Sequence, residues 1–306
     1  KAWEKKDLGL AQFKQLSVES RLELVGWEPY SDVLRKIAEN PKTPASALKS
    51  LAKDEDFRCK VAANPSTPIA LLKELAKDKE EYVRSGVAAN PNTPIALLKE
   101  LVRDEFAFIV EAVAENPNTP VALLEKLAND KDVGGCRGVA ANPSTPIALL
   151  KELAKDKEEY VRRNVANNPN TPVALLDALA KDKEEYVRSG VAANPNTPVA
   201  LLKELAKDRE DSVRPWVAAN PNTPVASLEE LAKDKEEYVR RNVAANPNTP
   251  AASLEELAKD KDRAIRWAVA INPNTPLALL KKFAKGGAAA RAGAASNPKL
   301  VQDLRG

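Results

Sequence analysis

A chain of 306 residues with 30% charged and 43% hydrophobic content has the balance of a folded protein rather than a disordered one. The 47 basic and 44 acidic residues leave a net charge of only +3, which argues against broad affinity for nucleic acid or anionic membrane, and no apolar run nears the ~18 residues of a membrane span. There is no histidine, which removes the commonest metal ligand and general base, and two cysteines are too few for a disulfide framework.

Residues 1–39 contain WEPYSDVLRKIAENP, whose end, Val33 to Glu39, reads as the second helix of a degenerate repeat. This segment is expected to be a helical cap over the first apolar face of the repeats beyond it. No targeting segment is visible at this end, and the cytoplasm is the favoured compartment.

From Asn40 the chain repeats. Asn-Pro recurs at Asn40, Asn64, Asn90, Asn116, Asn142, Asn168, Asn194, Asn220, Asn246, Asn272 and Asn297. The spacing is 24 residues, then 26 eight times, then 25. A fixed period of this size marks a solenoid whose units support one another. Counted from its Asn, the common unit is N-P-N-T-P-V-A-L-L-K-E-L-A-K-D-K-E-E-Y-V-R-x-x-V-A-A.

Each unit reads as two helices. Thr at position 4 is the expected N-cap of the first and Pro at 5 its opening residue. Apolar residues at 6, 9 and 13 and at 8 and 12 form its stripe, and it is expected to end near Asp at 15. Acidic residues at 17 and 18 suit the start of the second helix. Val at 20 and Val at 24 share one face of it. Pro at position 2 of the next unit stops it and pushes the preceding Asn out of helical geometry. The repeated Asn is expected to stack as a ladder whose amides cap the preceding helix and bond along the array. Arg at 21 is expected to pair with an acidic residue at 15, 17 or 18 of its own or the next unit.

NPNTPVALLKELAKD followed by VRxxVAA resembles the leucine-rich repeat variant family over residues 40–296. The resemblance implies an all-α chain, a right-handed α-solenoid of about ten tandem units of 24–26 residues, in which an α-helix alternates with a short 3₁₀ helix. A founding member carries an iron–sulfur cluster on clustered N-terminal cysteines. Residues 1–39 have none, so no cofactor is expected here. Cys59 and Cys136 lie three units apart, too far for a disulfide. Residues 297–306 are expected to be an incomplete repeat and tail.

The units differ at one place. Positions 1–5 and 9–12 hardly change, whereas 17–23 vary. The unit from Asn90 replaces the usual KEEYVRSG with EFAFIVEA, bringing Phe106, Phe108 and Glu111. Other units place Arg137, Arg163 with Asn164, Pro215 with Trp216, Arg241 with Asn242, and Arg263 with Trp267 in this region. Exposed large aromatics mark recognition surfaces, and a proline several residues into a regular helix costs ~3 kcal/mol. Changes that lower stability at one place in successive units point to selection for contact. These twelve residues are therefore the candidate binding residues. Phe108 has a second reading, as packing in the groove where Tyr usually lies.

No catalytic motif, phosphate loop or metal set is found, and carboxylates alternating with Lys read as a solvated face. The expected function is a non-enzymatic scaffold that binds a protein or peptide through the variable positions of each second helix. Two alternatives stand beside it. One is modular nucleic-acid recognition, one base per helical repeat. The other is a consensus-engineered scaffold with no natural ligand, suggested by the near-identity of the units from Asn64, Asn142 and Asn168.

Overall fold

The computed structural model describes residues 31–130 and 133–304. Most of the expected N-terminal cap lies outside them. The described residues form helices and no strand, packed in tandem as an all-α repeat solenoid. Two compact units are present, Lys1–Pro146 and Ile147–Gly306. In the first, the helices are α1 (Ser31–Glu39), α2 (Ala45–Leu51), α3 (Glu55–Ala63), α4 (Ile69–Leu75), α5 (Glu81–Ala89), α6 (Ile95–Leu101), α7 (Ala107–Glu115), α8 (Val121–Asn129) and α9 (Val133–Ala141). In the second they are α10 (Ile147–Leu153), α11 (Glu159–Asn167), α12 (Val173–Leu179), α13 (Glu185–Ala193), α14 (Val199–Leu205), α15 (Arg214–Ala219), α16 (Val225–Leu231), α17 (Glu237–Ala245), α18 (Ala251–Leu257), α19 (Arg263–Ile271), α20 (Leu277–Ala284), α21 (Ala288–Ser296) and α22 (Pro298–Asp303).

A repeat is thus a short helix, usually of seven residues, followed by one of nine. No 3₁₀ helix occurs among the described residues, unlike the alternation that the family resemblance implies. The Asn-Pro-Asn-Thr link is instead a single turn. Thr67 N–H donates to Asn64 O at 3.0 Å, and Pro68 then leaves in extended geometry (φ −61°, ψ 144°), so the turn cannot continue.

The first helix buries Leu71, Leu72 and Leu75, positions 8, 9 and 12. Position 6 departs from expectation, for Ile69 is 52% exposed and its equivalents Ile95, Val173 and Val199 are alike. At the first helical residue a side chain that leans toward the N-terminus has no earlier turn to lie on. The helix also ends at Leu75 rather than near Asp78, closing through Lys77 N–H to Glu74 O at 3.1 Å. In the second helix Val83 and Val87, positions 20 and 24, are buried as expected.

The threonine does not cap the helix that follows it. Thr67 Oγ1 donates to Val61 O and Thr93 Oγ1 to Val87 O, each at 2.5 Å, so it closes the helix behind. The last carbonyls of a helix lack partners, and the buried hydroxyl supplies one. The place before the next helix falls to Pro68, which has no side-chain bond to offer.

The asparagine ladder forms as anticipated. Asn90 Nδ2 donates to Ala62 O and Asn64 O, both at 2.7 Å, while Asn90 Oδ1 accepts from Asn92 N–H at 2.9 Å. Asn116 and Asn142 repeat the pattern in the first unit, and Asn194, Asn220, Asn246 and Asn272 in the second. Each of these side chains is almost wholly buried. Asn297 takes its place on the Ala270 and Asn272 carbonyls, and α22 begins the unit that Asn297 opens.

A second ladder runs on arginine. Arg84 holds Asp104 of the next repeat through Nε at 2.6 Å and Nη2 at 3.1 Å, and its Nη1 donates to the Asp78 carbonyl behind it at 2.9 Å. Of the acidic positions foreseen as partners, the structure uses 15 of the following unit. Arg162–Asp182, Arg188–Asp208, Arg214–Asp234 and Arg240–Asp260 copy it in the second compact unit. The hydrogen bond from Arg84 holds the Asp104 carboxyl below its ordinary range. Burial would push Asp182 and Asp208 upward, but their guanidinium partners, aided by the backbone N–H groups of Glu184 and Glu210, bring both below it.

The two ladders can be tested separately. Asn220→Ala removes the partner of Ala192 O, Asn194 O and Asn222 N–H, and is expected to cost about 3 kcal/mol or more in urea unfolding. Asn222→Ala, whose exposed amide reaches only Pro195 O, is expected to cost under about 1 kcal/mol. Because the ladder aspartates have lower pKa values folded than unfolded, their contribution is complete above the unfolded value near pH 4 and drains as pH falls through the folded ones. Urea midpoints measured from pH 7 down to pH 2.5 are expected to hold until about pH 4 and then drop. A midpoint unchanged at pH 3 would contradict the ladder's role.

Candidate binding groove

Position 23 of the second helix decides how closely successive second helices approach. Gly190 has no side chain because a Cβ there would lie 2.8 Å from Arg163 O and 3.0 Å from Ala166 Cβ. Gly138 is tighter, at 2.5 Å from Glu111 O. The variation at position 23 is therefore not free surface drift, since glycine there is a packing residue. At the same place in α15 stands Trp216, 45% exposed.

The segment around Trp216 differs in three linked ways. Position 19, Tyr in the repeats on either side, is Ser212. Position 22 is Pro215, which has no N–H to give. The second helix here has six residues and starts at Arg214, with residues 211–213 in a turn. Pro215 thus sits in the first turn, where it is tolerated, and not several residues into a regular helix as its sequence position suggests. The expected interior penalty does not arise, because the helix gave up its first turn instead. The Pro215 carbonyl is still used, accepting from Asn242 Nδ2 at 2.9 Å. Arg214 keeps its place in the arginine ladder through all this.

The missing ring and missing turn leave a groove of about 660 Å³ within the second compact unit. Tyr186 and Tyr238 wall it from the second helices on either side, with Trp216 between them in sequence order. Its floor includes Ser189, Ser212 and Pro215. Ser189 Oγ is tied to Tyr186 O at 2.8 Å, whereas Ser212 Oγ is buried with no hydrogen-bond partner among the described residues. Arg163 and Arg241 line it at position 22, and Asp211 and Glu236 at positions 18 and 17. The Arg241 guanidinium rests over the Tyr238 ring, 5.2 Å from its centre.

Of the twelve sequence candidates, this groove gathers Arg163, Pro215, Trp216, Arg241 and Asn242. The others lie elsewhere. Arg263 is exposed in the first turn of α19. Trp267 is 45% exposed, with an indole edge 3.3 Å from where a Cβ on Gly293 would be, so its ring lies beside α21. Asn164 is half-buried on α11 at position 23.

Candidates in the first compact unit have local partners. Phe108 stacks on Tyr82 of the repeat before it, centres 5.6 Å apart, and Phe106 lies 5.8 Å from Phe108 with Arg84 over its face. The EFAFIVEA replacement thus builds a small aromatic cluster around a ladder arginine, in keeping with the packing reading of Phe108. Glu111 pairs with Arg137 at 3.1 Å, so these two charges answer each other across adjacent repeats. Sequence reasoning passed over Tyr186, Tyr238 and Ser212. The available signal was a gap, a serine where the flanking repeats carry tyrosine.

Residues 136–192 and 188–233 match the Leucine Rich Repeat Variant domain model, and residues 239–262 the Leucine rich repeat variant model. No curated protein matches. Among solved structures, a leucine-rich repeat variant with a novel repetitive structural motif is 25% identical, covering 72% of this chain and 87% of its own, with a TM-score of 0.46. An engineered protein is 15% identical over 94% and 96% of the two chains, with a TM-score of 0.19. A computationally designed armadillo repeat protein for modular peptide recognition is 14% identical over 91% and 96%, with a TM-score of 0.13. Residues 136–233 and 239–262 are thus similar to leucine-rich repeat variant units, and the described residues form a helical repeat solenoid. No helix among the described residues is long and apolar enough to cross a membrane.

Refilling the groove should be visible in stability. The double change Ser212→Tyr with Pro215→Ser installs the residues of the preceding repeat, Tyr186 and Ser189, covers the buried Ser212 position and lets the second helix regain its first turn. It is expected to raise stability by about 1 kcal/mol, seen as a higher melting temperature and a gain in far-ultraviolet helicity. A loss of stability would mean that Pro215 is a packing residue.

Proposed function

Taking the chain as a leucine-rich repeat variant solenoid, we propose that it is a non-enzymatic scaffold that binds a protein or peptide segment through the outward faces of α11, α13, α15 and α17. The observation that carries this reading is the groove opened by Ser212 and Pro215 and lined by Tyr186, Trp216 and Tyr238. Aromatic side chains supply large contact area at low entropic cost, and clefts lined by them are the usual seats of binding energy. Three such rings around a ready cavity need little rearrangement on binding. The mixed lining of Arg163 and Arg241 with Asp211 and Glu236 favours a polypeptide over a nucleic acid, whose phosphates call for a basic stripe.

A displayed library of random dodecamer peptides, selected on the full chain, tests this. Binders are expected whose affinity falls by roughly thirtyfold in the Trp216→Ser variant, the loss typical of a central aromatic anchor. Helicity and melting temperature should stay near those of the parent, because the indole is half in water. Binders indifferent to Trp216→Ser would remove the groove as the site. Tight binding of an oligonucleotide with steep salt dependence would restore the nucleic-acid alternative.

A further inference from the structure

We infer that the groove is shaped for a proline-rich segment in the left-handed polyproline II conformation, flanked by acidic residues. The inference rests on the peptide-binding reading above and specifies the ligand.

The first argument is register. Tyr186, Trp216 and Tyr238 stand on three successive second helices, α13, α15 and α17, one ring per repeat. Packed helices lie about 8–10 Å apart. A polyproline II strand has three residues per turn and rises ~3.1 Å per residue, so it advances about 9 Å per turn. Prolines at every third residue therefore fall against successive rings, and the match holds only because the rings belong to consecutive repeats.

The second argument is hydrogen-bonding type. An extended strand that adds to a sheet needs a backbone edge, and this wall is made of helices whose backbone groups are already paired. A polyproline II segment needs only donors, since its prolines have no N–H and its carbonyls point outward. The groove offers donors: the buried Ser212 hydroxyl with no partner among the described residues, the two tyrosine hydroxyls and the Trp216 indole N–H.

The third argument is charge. Arg163 and Arg241 stand at the two ends of the position 22 row, and neither forms an ion pair among the described residues. Of the two carboxylates that line the groove, Glu236 pairs with Lys235 and Asp211 lies near the ladder Arg214. A segment with a carboxylate about one turn before its first proline and another just after its last would meet both guanidiniums. Arg241 would then leave the Tyr238 face for the carboxylate and free that ring for a proline.

The same library selection decides the matter, followed by fluorescence anisotropy with the full chain. The expected result is enrichment of peptides with proline at intervals of three and Asp or Glu at the flanks. A labelled peptide of that design should weaken by about tenfold when its prolines become alanine, through loss of the preformed conformation. It should weaken by a similar factor when its acidic residues become lysine or when Arg163 and Arg241 both become glutamate. Circular dichroism of that variant confirms that it is folded. Enriched peptides without the proline interval, still dependent on Trp216, would overturn this inference and leave the peptide-binding reading standing. No enrichment of the parent over Trp216→Ser would overturn both.

Discussion

The buried asparagine is the contact on which the rest of the structure depends. Its amide bridges a carbonyl at the end of an earlier second helix and the carbonyl of the preceding ladder asparagine, while its oxygen holds the turn of its own repeat, so one side chain ties the junctions of successive repeats together. An amide so placed cannot slide, because any shift would strand three polar groups away from water. That is the physical reason for a period so regular. The leucines at 8, 9 and 12 supply apolar burial, which is non-directional and could tolerate a slip between repeats. The asparagine supplies the direction.

The arginine ladder does similar work with more tolerance. Each guanidinium links the loop behind it to the carboxylate ahead, so it too joins neighbours rather than stabilising a repeat alone. Yet Val110 and Cys136 stand at the arginine position in two repeats, and Gly286 replaces the aspartate that would follow Arg266. The asparagine opens every repeat from Asn40 to Asn297 without exception. The difference follows from burial. The arginine pairs lie where water can still reach them in part, whereas the asparagines are almost wholly enclosed. Loss of a partly solvated ion pair leaves groups that water can serve, and loss of the enclosed amide does not.

How much of this was legible in the sequence divides along the same line. The repeat, its two helices, the asparagine ladder and an arginine–carboxylate link all follow from residue type at fixed spacing. The features that stayed hidden depend on neighbours in space. Thr67 could cap forward or backward, and only the turn geometry sends its hydroxyl back to Val61 O. Pro215 reads as a fault inside a helix until the helix is found to begin at Arg214. Phe106 and Phe108 read as candidate contact residues, and only the structure sets them beside Arg84 and Tyr82 while leaving each partly exposed. Five of the candidate residues did converge on one groove, but its walls, Tyr186 and Tyr238, are among the commonest residues at their position and carry no mark of their own.

The tyrosines at position 19 are well exposed wherever they occur, and Ser212 leaves a gap between Tyr186 and Tyr238 in which both rings line the groove. The shortened α15 deepens the gap, and Trp216 keeps an aromatic face within it. The scaffold absorbs these changes because both ladders pass through the repeat unbroken: Asn220 still spans to Ala192 and Asn194, and Arg214 still holds Asp234. Specific shape thus comes from subtraction at positions that the ladders do not use. In a chain of near-identical units, that is the one place where a repeat can become distinct without disturbing those beside it.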